Sequence, residues 1–287
     1  MPASFLKKIW LAAAALGFLL QAGPSVAAQR PVRIAYVEWS CATASTNLVK
    51  AVLEKKLHKK VEILPVSAAA MWQAVATGDV DAMVTAWLPV THGDYYAKVK
   101  DKVVNLGVIV RGAKLGLVVP QYVTINTIPE LEKNKAKFKK KIIGIDPGAG
   151  LMRKTEQAIT AYHLKGFNLI EGSDATMTAA LADAIRHKEW IVVTGWTPHW
   201  MFGRWHLKYL ADPKGALGGE ETINAIVRKG LEKDRPEVYA FLSRYKLPLD
   251  TLQALMAANK KNGKPFKNAK AFLADPSNKA LIDSWFK

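Results

Sequence analysis

The chain has 287 residues, of which 50% are hydrophobic and 23% are charged, with 19 Gly, 14 Pro and a single Cys. This composition is ordinary for a globular protein and excludes disordered, collagen-like and low-complexity chains, while one cysteine excludes an internal disulfide and a multi-cysteine zinc or iron–sulfur site. The length suffices for one large domain or two lobes of about 100–150 residues each, and the net charge of +17 needs an explanation of its own.

Residues 1–28 have the pattern of a secretory signal peptide. Two lysines precede the apolar run of residues 9–20, and small residues end the segment. A basic start, an apolar stretch of about 7–15 residues and a small-residue end are typical of a cleaved export signal, whereas a membrane anchor, the weaker interpretation, needs about 20 apolar residues. We therefore expect cleavage after Ala28 or Ala27 and a soluble protein exported to a bacterial periplasm.

The excess of basic residues survives removal of this segment. Cleavage would remove Lys7 and Lys8 but no acidic residue, and so leave a net charge of about +15. Nucleic-acid binding is one interpretation of such a charge. Export away from nucleic acid argues against it, and the basic residues are scattered except at 133–141, a run typical of the solvated face of a helix. We expect no nucleic-acid partner.

The first predicted elements alternate between strand and helix. Alternating β-branched residues predict strands, and apolar residues at helical spacing predict helices. The predicted strands are residues 32–37, 61–66 and 81–86, and the predicted helices are 43–57 and 68–77. This order favours a mainly parallel sheet with helices on its faces.

A second set of elements follows a change of unit near residue 115. The predicted strands are residues 115–119, 142–145, 168–170 and 191–194, and the predicted helices are 150–162 and 173–186. After residue 213, helices are predicted at 220–229, 236–245, 250–259, 269–274 and 277–285. We therefore predict an α/β fold with two lobes and a cleft, in which residues 29–115 plus 211–287 form lobe I and residues 116–210 form lobe II.

Three of the nine tryptophans directly follow predicted strands: Trp39, Trp87 and Trp196. In open α/β sheets, ligands bind beyond the carboxyl ends of the strands. A single tryptophan is usually a core residue, but three at equivalent positions on two lobes favour a shared role. Several indole faces around one void can hold a cation without a counter-charge, and a quaternary ammonium, which has no N–H to donate, suits such a site.

Five sequence runs carry a family resemblance: YVEW at 36–39, TAWLPVTH at 85–92, GLVVP at 116–120, GIDPGAGLM at 144–152 and TGWTPHWMF at 194–202. They resemble those of the glycine betaine/proline betaine substrate-binding proteins of ABC importers, most clearly over residues 32–229. The resemblance implies a type II-like periplasmic-binding-protein fold with a hinge, no enzymatic activity, no cofactor, and osmoprotectant delivery to a membrane-embedded ABC permease. We expect a monomer whose ligand is glycine betaine or proline betaine.

The resemblance also implies which residues hold the ligand. The matching positions are Trp39, Trp87 and Trp196 for an aromatic cage around the trimethylammonium group, and His92 with the backbone N–H groups of Gly150 and Leu151 for the carboxylate. The two N–H groups open a predicted helix, where the helix dipole and unpaired amides favour an anion in any protein. Because the residues come from both lobes, closure of the cleft would complete the site.

Two alternatives remain open. Ser40 and Cys41 stand after Trp39 where some relatives have acidic or amide residues, and an acidic residue there would suit the hydroxyl of choline. Its absence favours a betaine over the first alternative, a choline or carnitine receptor of the same fold. The second alternative is an exported enzyme acting on a quaternary ammonium compound. Against it, the chain has no Gly-x-Ser-x-Gly, Gly-x-x-x-x-Gly-Lys or His-Glu-x-x-His motif, and we expect neither catalytic residues nor a metal site.

Overall fold

Nine strands and twelve α-helices make up the part of the chain described by the computed structural model, residues 30–287. The predicted signal peptide, residues 1–28, lies outside the described residues. No helix within 30–287 combines the length and the apolar character needed to cross a membrane.

The strands are short except for two that cross the middle of the sheet. Their bounds are β1 Val32–Tyr36, β2 Val61–Pro65, β3 Ala82–Leu88, β4 Val103–Pro120, β5 Lys141–Ile143, β6 Asn168–Ile170, β7 Val193–Thr197, β8 Leu207–Tyr209 and β9 Glu220–Arg228.

The helices of the described residues lie between and after the strands in the order of the chain. Their bounds are α1 Ser40–Lys56, α2 Ala68–Thr77, α3 Gly93–Val99, α4 Glu130–Lys133, α5 Gly150–Ala161, α6 Asp174–His187, α7 Met201–Arg204, α8 Leu231–Asp234, α9 Pro236–Arg244, α10 Leu249–Asn262, α11 Pro265–Ala274 and α12 Lys279–Ser284. Two single-turn 3₁₀-helices lie at Lys100–Lys102 and Pro276–Asn278.

All nine strands belong to one sheet with the order β2-β1-β3-β9-β4-β7-β5-β6, and β8 pairs with β4. At the two ends of this order the strands are parallel, as predicted: β1 pairs with β2 and β3, and β5 pairs with β6 and β7. In the middle, β9 is antiparallel to both β3 and β4, and β4 is antiparallel to β7. The sheet is therefore two parallel units joined by antiparallel strands.

Strand β4 passes from one unit to the other. At Lys114 its partner changes, because Lys114 lies opposite Glu220 of β9 and also opposite Thr197 of β7. We call the unit of β1–β3, α1–α3 and α8–α12 lobe I, and the unit of β5–β8 and α4–α7 lobe II. The boundaries predicted from sequence, with lobe II at residues 116–210, stay a prediction.

The predicted helix at residues 220–229 is wrong, because this segment is strand β9. Its alanine and glutamate residues favour a helix by propensity, but β9 lies between β3 and β4 and pairs with both. Pairing on two sides outweighs propensity, which is a weak determinant of strand structure. The strand predicted at 115–119 is likewise only the end of β4, which begins at Val103.

The C-terminal helices pack on lobe I. Helix α1 lies between the strands β1–β3 on one side and α10 and α11 on the other, and most of its residues are buried. A second, smaller apolar cluster lies in lobe II and includes Leu117, Phe138 and Tyr162. Each lobe thus has packed apolar residues of its own, which hold the strand ends facing the cleft in fixed positions.

Candidate ligand-binding site

The three predicted cage tryptophans lie around one pocket. Trp87 is the sixth residue of β3, Trp196 the fourth residue of β7, and Trp39 the residue that precedes α1. Each is largely buried, with 6%, 3% and 3% exposure for Trp39, Trp87 and Trp196. The strand ends therefore bring indole rings from both lobes to the same void.

The pocket contains about 300 Å³ of space free of atoms, including space that is open to solvent. Eleven residues line it: Trp39, Cys41, Trp87, Thr91, His92, Leu115, Ile145, Ala149, Gly150, Leu151 and Trp196. All six residues predicted for the site are among them. None of the eleven is an acidic residue, a lysine or an arginine, so a cation here would face aromatic rings and not a counter-charge.

His92 presents a hydrogen-bond donor to this pocket. The backbone N–H of Trp87 donates to Nδ1 of His92 over 3.2 Å, so Nδ1 is an acceptor and the hydrogen of the neutral ring is on Nε2. Nε2 is buried and has no partner among the described residues. Burial, and next the charge of Arg153, lower the pKa of His92 to about 3. The imidazole is therefore neutral at physiological pH and offers one N–H donor.

A buried carboxylate fixes the loop that carries His92. Glu221 of β9 is 2% exposed, and its Oε1 accepts hydrogen bonds from the backbone N–H groups of Val90 and Thr91, each over 2.7 Å. Its Oε2 accepts a hydrogen bond from the Thr91 hydroxyl. Three donors compensate for the burial of the carboxyl group. Glu221 lies in the segment that the sequence predicts as a helix, so it was not among the predicted site residues.

Helix α5 points its N-terminus at the pocket. Gly150 and Leu151 are its first two residues, and Ala149 before them provides no side-chain cap. First-turn amides have no acceptor within their own helix. A Cβ on Gly150 would lie 2.1 Å from the Thr91 carbonyl oxygen of lobe I, so glycine is required for the two lobes to approach this closely.

Asp146 fixes the orientation of Trp39. Its Oδ2 accepts a 2.8 Å hydrogen bond from the Trp39 Nε1 across the cleft, and its backbone carbonyl accepts the Ala149 N–H in the turn before α5. The two residues are 107 positions apart in the chain, so local sequence patterns do not show this contact.

Further contacts close the cleft beside the pocket. The Tyr95 hydroxyl donates to the Gly148 carbonyl over 2.9 Å, and Arg153 contacts Asp94 and the Thr91 carbonyl, each over 3.2 Å. These contacts join α3 of lobe I to the N-terminal end of α5 in lobe II. The lobes are therefore in direct contact, and the structure is that of a closed cleft.

Cys41 lines the pocket as a neutral thiol. It is 2% exposed, and burial, followed by the nearby Asp174 carboxylate, raises its pKa to about 12. A thiol is nucleophilic as its thiolate, so this side chain is a small, weakly polar wall at neutral pH. Within residues 30–287 no cluster of His, Cys, Asp and Glu has the arrangement of a metal site.

Besides Cys41, four lining residues were not predicted from the sequence: Thr91, Leu115, Ile145 and Ala149. Thr91 and Ala149 are direct neighbours of predicted site residues in the chain, and Ile145 lies just before the Asp146 turn, so proximity along the sequence was an available signal. Leu115 lies on β4 opposite Trp196 of β7. That register had no local signal, because it depends on how the two lobes join.

Comparison with known proteins gives concordant matches. The family model described as the substrate binding domain of ABC-type glycine betaine transport system matches residues 30–275. The glycine betaine/carnitine transport binding protein GbuC of Listeria monocytogenes is 42% identical over 140 residues, which are 48% of this chain and 47% of that protein. The chain thus aligns with about half the length of this relative.

Solved structures match over most of the chain. The glycine/betaine/L-proline-binding protein ProX from Borrelia burgdorferi is 40% identical with a TM-score of 0.85, covering 89% of this chain and 96% of that one. Lactococcal OpuAC, closed and complexed with glycine betaine, is 39% identical with a TM-score of 0.85, covering 90% and 100%. A choline binding protein of an ABC transporter, in complex with choline, is 26% identical with a TM-score of 0.82, covering 89% and 91%. The predicted bilobal α/β fold is confirmed.

Proposed function

The chain belongs to the family of substrate-binding domains of ABC-type glycine betaine transport systems, and we propose that its pocket binds glycine betaine or the related proline betaine. The loaded protein then delivers this ligand to a membrane-embedded ABC permease. The observation that carries the proposal is the pocket itself, which combines three indole rings with N–H donors and contains no acidic or basic side chain apart from the neutral His92.

The indole rings of Trp39, Trp87 and Trp196 surround the trimethylammonium group. Its positive charge is spread over methyl groups, and the negative faces of aromatic rings attract such a charge while excluding water. A desolvated cation–π contact contributes about 2 kcal/mol, so three contribute about 6 kcal/mol. The pocket needs no acidic side chain to balance the charge of the trimethylammonium group, because the carboxylate of the ligand carries the opposite charge.

The carboxylate of the ligand binds at the other end of the pocket. His92 donates from Nε2, and the first-turn amides of α5, at Gly150 and Leu151, donate from the backbone. Hydrogen bonds to a charged group contribute about 1.5–3 kcal/mol each, and the helix N-terminus favours an anion. After the costs of ordering and closure, a micromolar dissociation constant, about −8 kcal/mol, is the expected net affinity.

Closure of two lobes completes the site. Trp39, Trp87 and His92 belong to lobe I, whereas Trp196 and the start of α5 belong to lobe II, so an open cleft has half of the contacts. We place the lobe boundaries where the sequence put them, at residues 115–116 and 210–211. The partner change of β4 at Lys114 lies beside the first of these boundaries and supports a hinge there.

A choline receptor is the second candidate, favoured by the match to the choline-bound structure. The pocket argues against it, because choline has no carboxylate for the Nε2–H of His92 and for the amides of α5. Carnitine, which GbuC is named for together with glycine betaine, has the carboxylate and is a further ligand to test. We infer no chemical conversion of the ligand, since the pocket's only thiol is protonated at neutral pH.

We also propose that the protein acts as a monomer in the periplasm. Residues 1–28 would direct export and be removed after Ala28 or Ala27. The family is that of substrate-binding domains of an ABC-type transport system, and the signal-like pattern of residues 1–28 supports export to the periplasm.

Calorimetric titration with glycine betaine, proline betaine, carnitine and choline tests the proposal. We expect a micromolar dissociation constant for a betaine and weaker binding of choline, with the ligand recovered unchanged by NMR. Trp87→Ala should weaken glycine betaine binding by at least about tenfold, since one desolvated cation–π contact is lost. Trp190→Ala, a partly buried tryptophan that packs against Phe138 away from the pocket, is the matched control.

Two results would contradict the proposal. One is wild-type protein that binds choline but no betaine. The other is Trp87→Ala protein that has a wild-type circular dichroism spectrum and also wild-type affinity for glycine betaine.

A further inference from the structure

Helix α1 begins directly after Trp39 and has no cap of its own. No side chain of its N-terminal turn bonds to its first amides, and that turn contains no acidic residue. The cap comes instead from lobe II: Asp174 Oδ2 accepts the backbone N–H of Ser40 over 2.8 Å and the Ser40 hydroxyl over 2.5 Å. Ser40 and Asp174 are 134 residues apart in the chain. A carboxylate at a helix N-terminus stabilises the helix end through both the amides and the dipole.

Asp174 is available for this contact because its own helix is capped by other residues. Ser173 and Thr176 form a reciprocal capping box at the start of α6. Asp174 is 7% exposed; burial would raise its pKa, but hydrogen bonds from His199 and Ser40 outweigh burial and hold the pKa below its usual value. The carboxylate is therefore charged at neutral pH and fully engaged when the cleft is closed.

The second carboxylate oxygen of Asp174 contacts His199, a residue that packs against Trp196. Its Oδ1 lies 3.0 Å from Nε2 of His199. The backbone N–H of Met201 donates to Nδ1 of His199 over 3.1 Å, so the ring hydrogen is on Nε2 and is donated to Asp174. The His199 ring packs edge-on against Trp196, with centroids 4.5 Å apart and planes at 87°. Asp174 thus contacts Ser40, which follows Trp39 in lobe I, and His199, which packs against Trp196 in lobe II.

A second bond crosses the cleft at the same place. The Trp200 Nε1 donates to the Ser40 hydroxyl oxygen over 3.1 Å. Ser40 therefore both donates to and accepts from lobe II, and it is only partly buried. None of Ser40, Asp174, His199 and Trp200 is among the residues that line the pocket, so their effect on a ligand is indirect.

We propose that Ser40, Asp174 and His199 form a latch that holds the cleft closed over its ligand, with Asp174 as a positioning residue that caps α1 only in the closed state. Opening the cleft separates Ser40 from Asp174 and returns a helix amide and a carboxylate to water, so the bonds favour the closed state over the open one. The latch rests on the proposed function, since it retains the ligand of that same site.

The test variant is Ser40→Ala, because it removes the hydroxyl that both donates to Asp174 and accepts from Trp200 while leaving the Asp174–His199 bond in place. Stopped-flow tryptophan fluorescence with glycine betaine gives the association and dissociation rate constants. We expect dissociation to be about tenfold faster or more, the effect of losing a hydrogen bond to a charged group, with the association rate within about twofold of wild type. Ser40→Thr, which keeps the hydroxyl, should restore slow dissociation, and Ser284→Ala, at an exposed serine of α12, is the control.

The outcomes separate the latch from the proposed function. Wild-type protein that fails to bind glycine betaine overturns the proposed function and the latch with it. Normal binding by wild type with an unchanged dissociation rate in Ser40→Ala overturns the latch alone. A third outcome also overturns it: a loss of unfolding free energy in ligand-free Ser40→Ala as large as its loss of binding free energy, since the bonds would then stabilise the fold and not closure.

Asp174→Asn with Ser40→Ala completes a double-mutant cycle on the dissociation rate. If both residues act in one latch, the increase of the dissociation rate constant in the double variant should be smaller than the product of the two single increases, because the bond between the Ser40 hydroxyl and the Asp174 carboxylate is changed in both single variants. Multiplying effects would show independent roles and overturn the latch.

Discussion

At the scale of the residue, the position of the ring hydrogen of His92 determines whether this side chain offers the pocket a donor or an acceptor. The Trp87 backbone N–H occupies Nδ1 of His92, and burial keeps the ring neutral. The imidazole then has a single free N–H, which can pair with a hydrogen-bond acceptor but not with another donor. The strand backbone thus determines that His92 presents a donor to the pocket.

The buried neutral state of His92 predicts how stability depends on pH. Its pKa is about 3 in the folded protein and about 6.5 in an unfolded chain. Between these values the unfolded chain binds a proton that the folded one does not, so the free energy of unfolding falls as the pH falls below about 6.5. At pH 5 the loss due to His92 should be about 2 kcal/mol relative to neutral pH.

Urea unfolding of wild type and His92→Gln at pH 7 and pH 5 measures this contribution. The wild type should lose about 2 kcal/mol more than His92→Gln between the two conditions, whatever the offset between them at pH 7. His163→Gln, at an exposed histidine after α5, should keep the wild-type dependence. Equal losses in wild type and His92→Gln would show that His92 is not buried in its neutral form.

At the scale of the element, the first residue of α5, Gly150, belongs both to the pocket and to the contact between the lobes. Gly150 lines the pocket, and a Cβ added to it would meet the Thr91 carbonyl oxygen of lobe I. Thr91 is itself held by Glu221. The start of α5 is therefore a contact between lobes as well as a candidate anion site, and it tolerates no side chain.

Gly150→Ala should weaken glycine betaine binding by at least about tenfold, since overpacking a close contact costs roughly 1–3 kcal/mol. The added methyl group would lie 2.1 Å from the Thr91 carbonyl oxygen and so oppose closure, whereas the open protein has room for it. Calorimetry and the melting temperature of the ligand-free protein measure the two effects, and the melting temperature should change little.

Gly148→Ala is the matched control, because it lies in the same turn and an added Cβ meets nothing within 4 Å. It should bind glycine betaine as wild type does. Wild-type affinity in Gly150→Ala would mean that the lobes do not approach as closely as in this structure.

Local patterns predicted the elements of the two lobes but not the strands that join them. Strands β1 to β3 and helices α5 and α6 follow from alternation, helical spacing and caps, all of which are local. Strand β9 was mistaken for a helix because its pairing with β3 and β4 depends on residues more than 100 positions away. The same distance explains which residues of the site could be predicted. Motifs located Trp87 and His92, whereas Glu221 and Asp174 contact residues 130 and 134 positions away in the chain.

At the scale of the whole molecule, the net charge separates the candidate ligands. Without residues 1–28 the chain would have a net charge of about +15. Such a field repels a cation but acts weakly on a zwitterion with no net charge. Salt screens this field, since the Debye length falls from about 10 Å at 0.1 M to about 3 Å at 1 M.

Binding of glycine betaine should therefore change by less than about twofold between 0.1 M and 1 M salt, whereas any binding of choline should strengthen as salt screens the repulsion. Calorimetry at the two salt concentrations measures both. A several-fold loss of betaine affinity at 1 M salt would indicate that long-range charges, and not the contacts within the pocket, hold the ligand.

The hydrogen bond from the Trp87 amide to His92 has a consequence for how receptors of this kind diverge. The donor is main chain, so exchanging the Trp87 indole for another ring alters one end of the cavity without moving the imidazole hydrogen at the other. If the pocket binds a betaine as proposed, a change of the ring at position 87 would alter the fit of the onium group and leave the N–H of His92 in place for the carboxylate. Proline is the one substitution at position 87 that would abolish both at once.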